Sequence, residues 1–315
     1  MSTDDASRRP AASGIDTGAG REVGPVRAWL LAARPRTLTA AVAPVLVGAG
    51  LAASDGVFAP LPAAAAMLGA ILIQIGTNLA NDYYDFVRGG DTAERVGPVR
   101  VTQAGILEPA VVKRGMFVVL AAAMLVGLYL VAVGGWPILV IGLASVVCAV
   151  AYTGGPFPLA YHGLGDVFVF VFFGLVAVGG TYWVQALAWP SDALLAGAGL
   201  GALSTAILVV NNLRDIETDA KAAKRTLAVR LGVGGTQVEY VVLLVGGAAV
   251  PVVGVLRFGW PVATLASLLF LPLAAAPLRA VLRFEHPREL LPALGATARL
   301  VVVYGVLLAL GLGLG

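Results

Sequence analysis

The stretch "TNLANDYYDF", residues 77–86, indicates both how this chain folds and where its chemistry lies. It ends the almost wholly apolar run "LPAAAAMLGAILIQIG", residues 61–76, which is long enough for a helix that crosses a lipid bilayer. The polar residues that follow the run are two amides and two carboxylates: Asn78, Asn81, Asp82 and Asp85. Ionisable side chains are costly in a membrane helix, so their presence predicts a functional site.

Composition places the chain among polytopic α-helical membrane proteins. Of its 315 residues, 59% are hydrophobic and 12% are charged, whereas soluble domains carry about 25% charged residues. The mean hydropathy is +0.89. The single cysteine, Cys148, excludes an intrachain disulfide. The two histidines, His162 and His286, are too few for a His-rich zinc site.

Two regions are predicted along the chain. Residues 1–26 are polar and lack an apolar segment, so a disordered cytoplasmic tail is expected rather than a signal peptide. Residues 27–315 are predicted to form an all-α bundle of nine transmembrane helices. At about 20 apolar residues per span, the predicted spans are 37–54, 60–81, 114–133, 136–153, 166–188, 192–212, 237–256, 260–281 and 296–314.

The basic residues predict the orientation of this bundle. Cytoplasmic loops of membrane proteins carry an excess of Lys and Arg. With nine spans, Arg257 is the only one of the 21 Lys and Arg residues on the side opposite the N terminus. We therefore expect a multi-pass protein of the bacterial inner membrane, with its N terminus and functional face in the cytoplasm. The basic residues follow the membrane face, so no nucleic-acid partner is expected.

A second acidic stretch, "NNLRDIETD" at residues 211–219, ends the sixth predicted span. The two stretches form a weak internal repeat at the cytoplasmic boundary. Residues i, i+4 and i+7 or i+8 share one face of a helix. Each motif thus presents one amide and two carboxylates on one face: Asn78, Asp82 and Asp85, and Asn211, Asp215 and Asp219. Arg214 and Glu217 fall off this face and are interpreted as solvated or ion-paired.

The two acidic motifs together predict a metal and diphosphate site. Either motif alone is also typical of a solvated helix end, but two of the same spacing at one depth favour function. Four converging carboxylates repel one another unless cations neutralise them, and such oxygen ligands favour Mg²⁺. Basic residues near the motifs would complete a diphosphate site: Arg88, Arg95, Arg100, Lys221, Lys224 and Arg225. A charged site beside lipid suits polyprenyl diphosphate, whose departing diphosphate is stabilised by Mg²⁺ and basic side chains.

These residues resemble the UbiA superfamily of intramembrane aromatic prenyltransferases, which has nine transmembrane helices and two Asp-rich motifs. Residues 211–219 match its NxxxDxxxD motif fully, whereas the first motif departs at Asp85 and Phe86. That variant, "NDYYDFVRGGD" (81–91), is similar to the branch that prenylates 1,4-dihydroxy-2-naphthoate for menaquinone. Further stretches resemble the same branch: "AARPRTLTAAVAPVLVG" (32–48), "GPVRVTQAGIL" (97–107), "YTGGPFPLAYHGLGD" (152–166) and "NNLRDIETDAKAAKRTLAVRLG" (211–232).

The resemblance, which covers about residues 27–315, implies a reaction and a set of site residues. Polyprenyl diphosphate and 1,4-dihydroxy-2-naphthoate would react, with loss of diphosphate and CO₂, to give demethylmenaquinone. Two Mg²⁺ ions, bridged by the diphosphate, would lie on Asp82, Asp85, Asp215 and Asp219, with Asn78 and Asn211 as supporting ligands. Basic residues would bind the diphosphate and assist its departure: Lys221, Arg225, Arg88 and Arg100.

Four more residues are candidates for substrate binding. Arg34 and Arg36 either bind an anionic group or anchor the membrane boundary. Asp91 either joins the metal shell or orients a ring hydroxyl. Gln74, one helical turn before the first motif, is a candidate hydrogen-bond donor to either substrate.

The aromatic residues and the acid of the loops have structural alternatives. Tyr83 and Tyr84 are either interfacial aromatics or contacts to a ring or cation. Tyr152 and Tyr161 are candidates to line the acceptor pocket. Asp166 begins the fifth predicted span, so a helix N-cap is favoured over a catalytic role.

Alternatives to this reading remain open. Within the enzyme class, other acceptors are 4-hydroxybenzoate, haem, chlorophyllide and homogentisate. A cation-coupled transporter would also have repeats and intramembrane acids, but it usually places charge near the bilayer midplane on broken helices. A catalytically inactive scaffold is disfavoured because both motifs keep their acids. The prenyl chain length and the oligomeric state do not follow from the sequence.

Overall fold

The chain folds into a helical bundle. The computed structural model describes residues 23–89, 97 and 99–315, apart from the side chain of Arg36, and all regular structure in these ranges is helical. The α-helices are α1 (Pro25–Ala33), α2 (Pro35–Ser54), α3 (Pro60–Val87), α4 (Pro109–Gly134), α5 (Trp136–Ala151), α6 (Gly165–Phe170), α7 (Ala177–Ala186), α8 (Ser191–Arg214), α9 (Ile216–Lys221), α10 (Leu227–Phe258), α11 (Phe270–Arg283) and α12 (Leu290–Gly313). A π-helical segment, Val171–Val176, joins α6 to α7, and a 3₁₀ segment, Val262–Leu269, leads into α11.

Eight helical segments of the described chain are long and apolar enough to cross a membrane. They coincide with eight of the nine predicted spans, so this is a multi-pass membrane protein. The remaining predicted span, 136–153, corresponds to α5, which has only 16 residues and a length of about 24 Å. A sharp turn precedes it, because α4 ends at Gly134 and α5 begins at Trp136.

Two helix boundaries differ from the prediction in ways that affect the site. Helix α3 continues to Val87, so the whole first motif is helical. At the other end of the described chain, α1 begins at Pro25, inside the segment assigned to the tail. The ring of Trp29 fixes α1 against α4, because a Cβ at Gly115 would lie 2.6 Å from that ring. Helix α1 therefore packs on the bundle and leads directly into α2.

Helix α8 lies at the centre of the bundle and carries the second motif. Its side chains Leu200 and Leu203 are fully buried, and they pack in one cluster with Tyr240 of α10 and Tyr304 of α12. Small residues let these helices approach closely, as they do in other membrane bundles. The outer faces of α4 and α10 expose large apolar side chains, which suits contact with lipid tails.

The π-helical segment interrupts the span that follows α5. A Cβ at Gly174 would overlap the Gly197 carbonyl and would lie 2.6 Å from the Gly201 Cα atom, so α8 packs directly on the backbone of this segment. The wider π turn also brings two consecutive side chains, Phe172 and Phe173, to the wall of one cavity. Such π bulges occur often at functional sites.

Candidate active site

The ends of the two acidic motifs meet at Tyr161, in the loop between α5 and α6. The Tyr161 hydroxyl donates to Asp85 Oδ1 over 3.4 Å, and burial beside Asp85 raises the pKa of this phenol, so it stays protonated. On the other side, the Lys224 ammonium lies 5.8 Å from the centre of the Tyr161 ring and donates to Asp219 Oδ1 over 3.2 Å. One carboxylate of each motif therefore faces the same loop.

Asn78 links the first motif to the junction of α1 and α2. Its Nδ2 donates to the Ala33 carbonyl over 2.8 Å and to Thr37 Oγ1 over 2.9 Å. Its Oδ1 accepts from Gln74 Nε2 over 3.2 Å. The end of α1 and the start of α2, which meet at Arg34, are thus fixed to α3 through the buried amide of Asn78. Arg34 itself has a left-handed backbone, with φ 50° and ψ 70°.

Asp82 holds the chain that follows the first motif. Its two carboxylate oxygens accept from the backbone N–H groups of Val101 and Thr102, over 3.2 Å and 2.9 Å. The Arg34 guanidinium also pairs with it over 3.4 Å. Asp82 is fully buried, so these donors replace water around a carboxylate that would otherwise be costly to bury. Its assignment as a metal ligand stays a prediction.

Asp85 and Arg100 form a second buried ion pair. Arg100 Nη2 lies 2.9 Å from Asp85 Oδ2, and both side chains are less than one tenth exposed. Arg100 follows α3 in the chain, and its side chain returns to the motif on that helix. The predicted proximity of this cation to the acids is thus present in the structure.

The second motif departs from the predicted single helical face. Helix α8 ends at Arg214, Asp215 has φ −97° and ψ 10°, and a separate short helix, α9, carries Asp219. The Arg214 side chain is fully buried. Its Nε donates to Asp215 Oδ1 over 2.7 Å, and its Nη2 donates to Asn211 Oδ1 over 2.9 Å. Of the two interpretations of Arg214, solvated or ion-paired, the second is correct. The residue is buried and contacts two members of the motif, Asn211 and Asp215.

One carboxylate oxygen of Asp219, Oδ2, is buried without a hydrogen bond to any residue that the structure describes. Burial raises the pKa of this carboxyl, and the Lys224 ammonium offsets that only in part, while the charges of Asp215 and Asp85 raise it further. A buried carboxylate in this state is suited to binding a cation.

A cavity of about 750 Å³ joins these polar groups to the interior of the bundle. Its polar end includes Asn78 and Asp85 of the first motif and Asn211 of the second. On α3 its lining runs from Asp85 back to Ala66, a distance of about 28 Å along the helix. Most of the remaining wall is apolar and belongs to α4, α5, α7 and the π-helical segment. The cavity thus offers a charged head site and a long apolar arm.

The other predicted residues occupy different positions around this site. Lys221, Arg225 and Arg88 are exposed outside the cavity, and Arg88 donates to the Gly155 carbonyl. Tyr152 lines the cavity as expected. Asp91 lies outside the described residues, as does Arg95, and the side chain of Arg36 is not described.

The predicted N-cap role of Asp166 is wrong. The N-cap residue of α6 is Leu164, and no side chain caps the helix. Asp166 instead lies in the first turn, where it is buried. The helix begins at Gly165, whereas a capping Asp166 would require it to begin at residue 167.

Sequence reasoning left one cation, Arg214, out of the site, whereas it counted Lys224 among the basic residues near the motifs. Arg214 immediately precedes Asp215, and its position off the helical face was misleading because α8 ends there. Lys224 reaches back to Asp219 after α9 has ended, and it also lines the cavity. The signal was present for Lys224, since it lies five residues after a motif acid in a basic loop.

The donor set fits a hard cation, although no ready-made cluster is formed. Within the described ranges, no three Asp, Glu, His or Cys side chains gather as a ligand group. Arginine and lysine side chains instead neutralise the acids: Arg34, Arg100, Arg214 and Lys224. Carboxylate and amide oxygens are the ligands that Mg²⁺ prefers, and Asp219 Oδ2 has no competing donor in this part of the chain.

Three comparisons with known proteins agree with this arrangement. Residues 41–313 match the model of the UbiA prenyltransferase family. The chain is 37% identical over 304 residues to a 1,4-dihydroxy-2-naphthoate octaprenyltransferase of Haemophilus influenzae, covering 92% of this chain and 97% of that protein. It is 40% identical over 287 residues to the protein of the same name from Mycobacterium tuberculosis, covering 91% and 97%.

A solved structure shows the same fold at low sequence identity. It is the apo structure of a UbiA homolog from Aeropyrum pernix K1, with a TM-score of 0.64 and 14% identity over 84% of this chain and 95% of that one. The helical bundle, the two acidic motifs and the family match over most of the sequence lead to one conclusion. The chain belongs to the UbiA prenyltransferase family.

Proposed function

We propose that this protein transfers a polyprenyl group from polyprenyl diphosphate to 1,4-dihydroxy-2-naphthoate in menaquinone biosynthesis. The observation that carries the proposal is the cavity described above, which has Asn78 and Asp85 of the first motif and Asn211 of the second at its polar end, and a long apolar arm. The names of the relatives, which are at least 37% identical over more than nine tenths of this chain in the two cases above, support the naphthoate as acceptor. The enzyme acts in the bacterial inner membrane with its N terminus and active site towards the cytoplasm.

The charged end of the cavity binds the diphosphate. Asp85, Asp215 and Asp219 would hold Mg²⁺ with Asn78 and Asn211, whereas Asp82 would do so only while keeping its hold on residues 101 and 102. The metal, when bound, supplies positive charge that stabilises the departing diphosphate. Lys224 is placed to add a further positive charge there, because it lines the cavity beside Asp219. Lys221, Arg225 and Arg88 lie further out, where they are suited to attracting the substrate.

The apolar arm holds the prenyl chain and excludes water from the reacting carbon. The allylic C–O bond breaks, and its electron pair leaves with the diphosphate. The ring carbon that bears the carboxylate forms the new C–C bond. The C–CO₂ bond then breaks, its electron pair restores the aromatic ring, and CO₂ leaves. Phe172 and Phe173 line the cavity, and aromatic rings are suited to stabilising a carbocation.

The test is a turnover assay of the purified protein in nanodiscs. Geranylgeranyl or farnesyl diphosphate and Mg²⁺ would be supplied with either 1,4-dihydroxy-2-naphthoate or 4-hydroxybenzoate. Prenylated naphthohydroquinone with CO₂ release supports the proposal, and product from hydroxybenzoate alone would overturn the acceptor assignment. Asp82→Asn and Asp215→Asn should each abolish turnover while leaving helicity intact, whereas the exposed Glu285→Gln serves as the control. Full activity in either aspartate variant refutes the shared site.

A further inference from the structure

The orientation of the Gln74 amide is fixed by a chain of hydrogen bonds. The Ala33 carbonyl can only accept, so the Asn78 atom 2.8 Å from it must be the nitrogen, Nδ2. Asn78 Oδ1 then faces Gln74 and must accept, which makes Gln74 Nε2 the donor over 3.2 Å. The choice between oxygen and nitrogen in both amides thus follows from one backbone carbonyl.

This series of hydrogen bonds leaves one acceptor atom without a partner among the described residues. Gln74 Oε1 is buried without a hydrogen bond to any described residue, and Gln74, which is only 8% exposed, lines the cavity. An unsatisfied acceptor in such a place is costly, and a ligand that brings a donor removes the cost. Asn78 uses one of the two hydrogens of Gln74 Nε2, so donation from Gln74 to a substrate stays a prediction, and acceptance by Oε1 is a second role open to this amide.

The same network places Gln74 at the polar end of the cavity. Thr37 accepts from Asn78 and its hydroxyl donates to the Arg34 carbonyl over 2.9 Å. The Arg34 side chain lines this end too. An aromatic acid with a hydroxyl group would find a guanidinium and a hydrogen-bond acceptor on one wall. Ser204 also lines the cavity with an unpaired hydroxyl among the described residues, but a hydroxyl both donates and accepts and so discriminates less.

We propose that Gln74 Oε1 accepts a hydrogen bond from the 4-hydroxyl of the naphthoate and thereby selects the hydroquinone over the quinone. The inference rests on the proposed function. In 1,4-dihydroxy-2-naphthoate the 1-hydroxyl is adjacent to the carboxylate and bonds to it internally, so the 4-hydroxyl is the free donor. A quinone oxygen in its place is an acceptor and would leave two acceptors facing each other. Gln74 is thus a specificity-determining residue for the acceptor.

The experiment compares two ligands in the wild-type protein and in Gln74→Met. The Michaelis constant for 1,4-dihydroxy-2-naphthoate and the inhibition constant of 1-hydroxy-2-naphthoate, which lacks the 4-hydroxyl, would be measured with geranylgeranyl diphosphate. We expect the wild type to favour the dihydroxy compound by about tenfold, the effect of one buried hydrogen bond. In Gln74→Met this preference should fall to about onefold.

Each outcome of this comparison either supports or overturns the proposed role of Gln74. A wild type with no preference, measured without any variant, overturns the inference. So does a Gln74→Met protein that keeps the preference or loses affinity for both ligands equally. Ser145→Ala is the matched control, because its hydroxyl lines the same cavity but donates to the Ile141 carbonyl over 2.8 Å. If the wild-type protein does not turn over the naphthoate at all, the proposed function is wrong. The relative binding of the two ligands to the wild type and to Gln74→Met then still tests the role of Gln74.

Discussion

Replacing Arg214 by methionine should destabilise the bundle more than its place off the motif face suggests. Its guanidinium is fully buried and holds both oxygens of Asp215 as well as Asn211 Oδ1. Arg214→Met keeps most of the apolar side chain but removes every one of these donors. Asp215, whose side chain is only 7% exposed, would then be a buried carboxylate with no counter-ion from this residue.

The expected cost follows from that burial. Removing one partner of a buried ion pair typically costs about 3–5 kcal/mol, because the remaining charge is left uncompensated. Solvent screening reduces this little here, since both side chains are almost wholly enclosed. For a chain of this size the midpoint of thermal unfolding should fall by on the order of 5–10 °C. The double variant Arg214→Met with Asp215→Asn removes both charges and should recover part of the loss.

Scanning fluorimetry of the purified proteins in nanodiscs without Mg²⁺ measures these midpoints. Three proteins suffice: the wild type, Arg214→Met and the double variant. A midpoint for Arg214→Met within about 2 °C of the wild type would refute the reasoning. A double variant less stable than Arg214→Met would also contradict it, because the ion pair could not then be the source of the effect.

Two further substitutions test the site and the packing beside it. Lys224→Gln should raise the Michaelis constant for the diphosphate substrate by about tenfold, since a charged hydrogen bond beside Asp219 is lost. Lys221→Gln, at an exposed position, should have the smaller effect, and equal effects would argue against the cavity position of Lys224. Gly174→Ala forces a Cβ into the backbone of α8 and should cost about 1–3 kcal/mol in thermal unfolding experiments. Gly246→Ala, which has open space around its Cβ, is the control, and an unchanged midpoint for Gly174→Ala would contradict the close packing.

Most of the bundle could be predicted from the sequence because lipid leaves few alternatives. Apolar runs of bilayer length must fold as helices, since their backbone groups find no water to bond with. Eight of the predicted spans are therefore helices of membrane length. The exceptions have local causes. Helix α5 begins at Trp136, as predicted, but ends at Ala151, before the predicted end of its span, because the loop from Tyr152 follows.

The candidate site was predictable in its residue types but not in its partners. Helical spacing identified the amides and carboxylates, but it assumed that the second motif is one helix, and the break at Asp215 moves Asp219 off that register. Contacts across the bundle are invisible to spacing. The bond from Asp82 to residue 102 and the bond from Lys224 to Asp219 depend on how loops fold back. The unpaired acceptor oxygen of Gln74 could be identified only from the positions of its neighbours in the structure.

The short length of α5 also affects the lipid that surrounds the protein. Its outer face exposes Val140 and Val147, and Trp136 at its start is well exposed, as expected at a membrane interface. A segment of about 24 Å is shorter than the hydrocarbon layer of about 30 Å. Bilayers meet such hydrophobic mismatch by thinning locally. The headgroup layer should therefore lie deeper beside α5 than elsewhere around the protein. The diphosphate group of the proposed polyprenyl substrate would then lie closer to the depth of the cavity while its chain is still in the membrane.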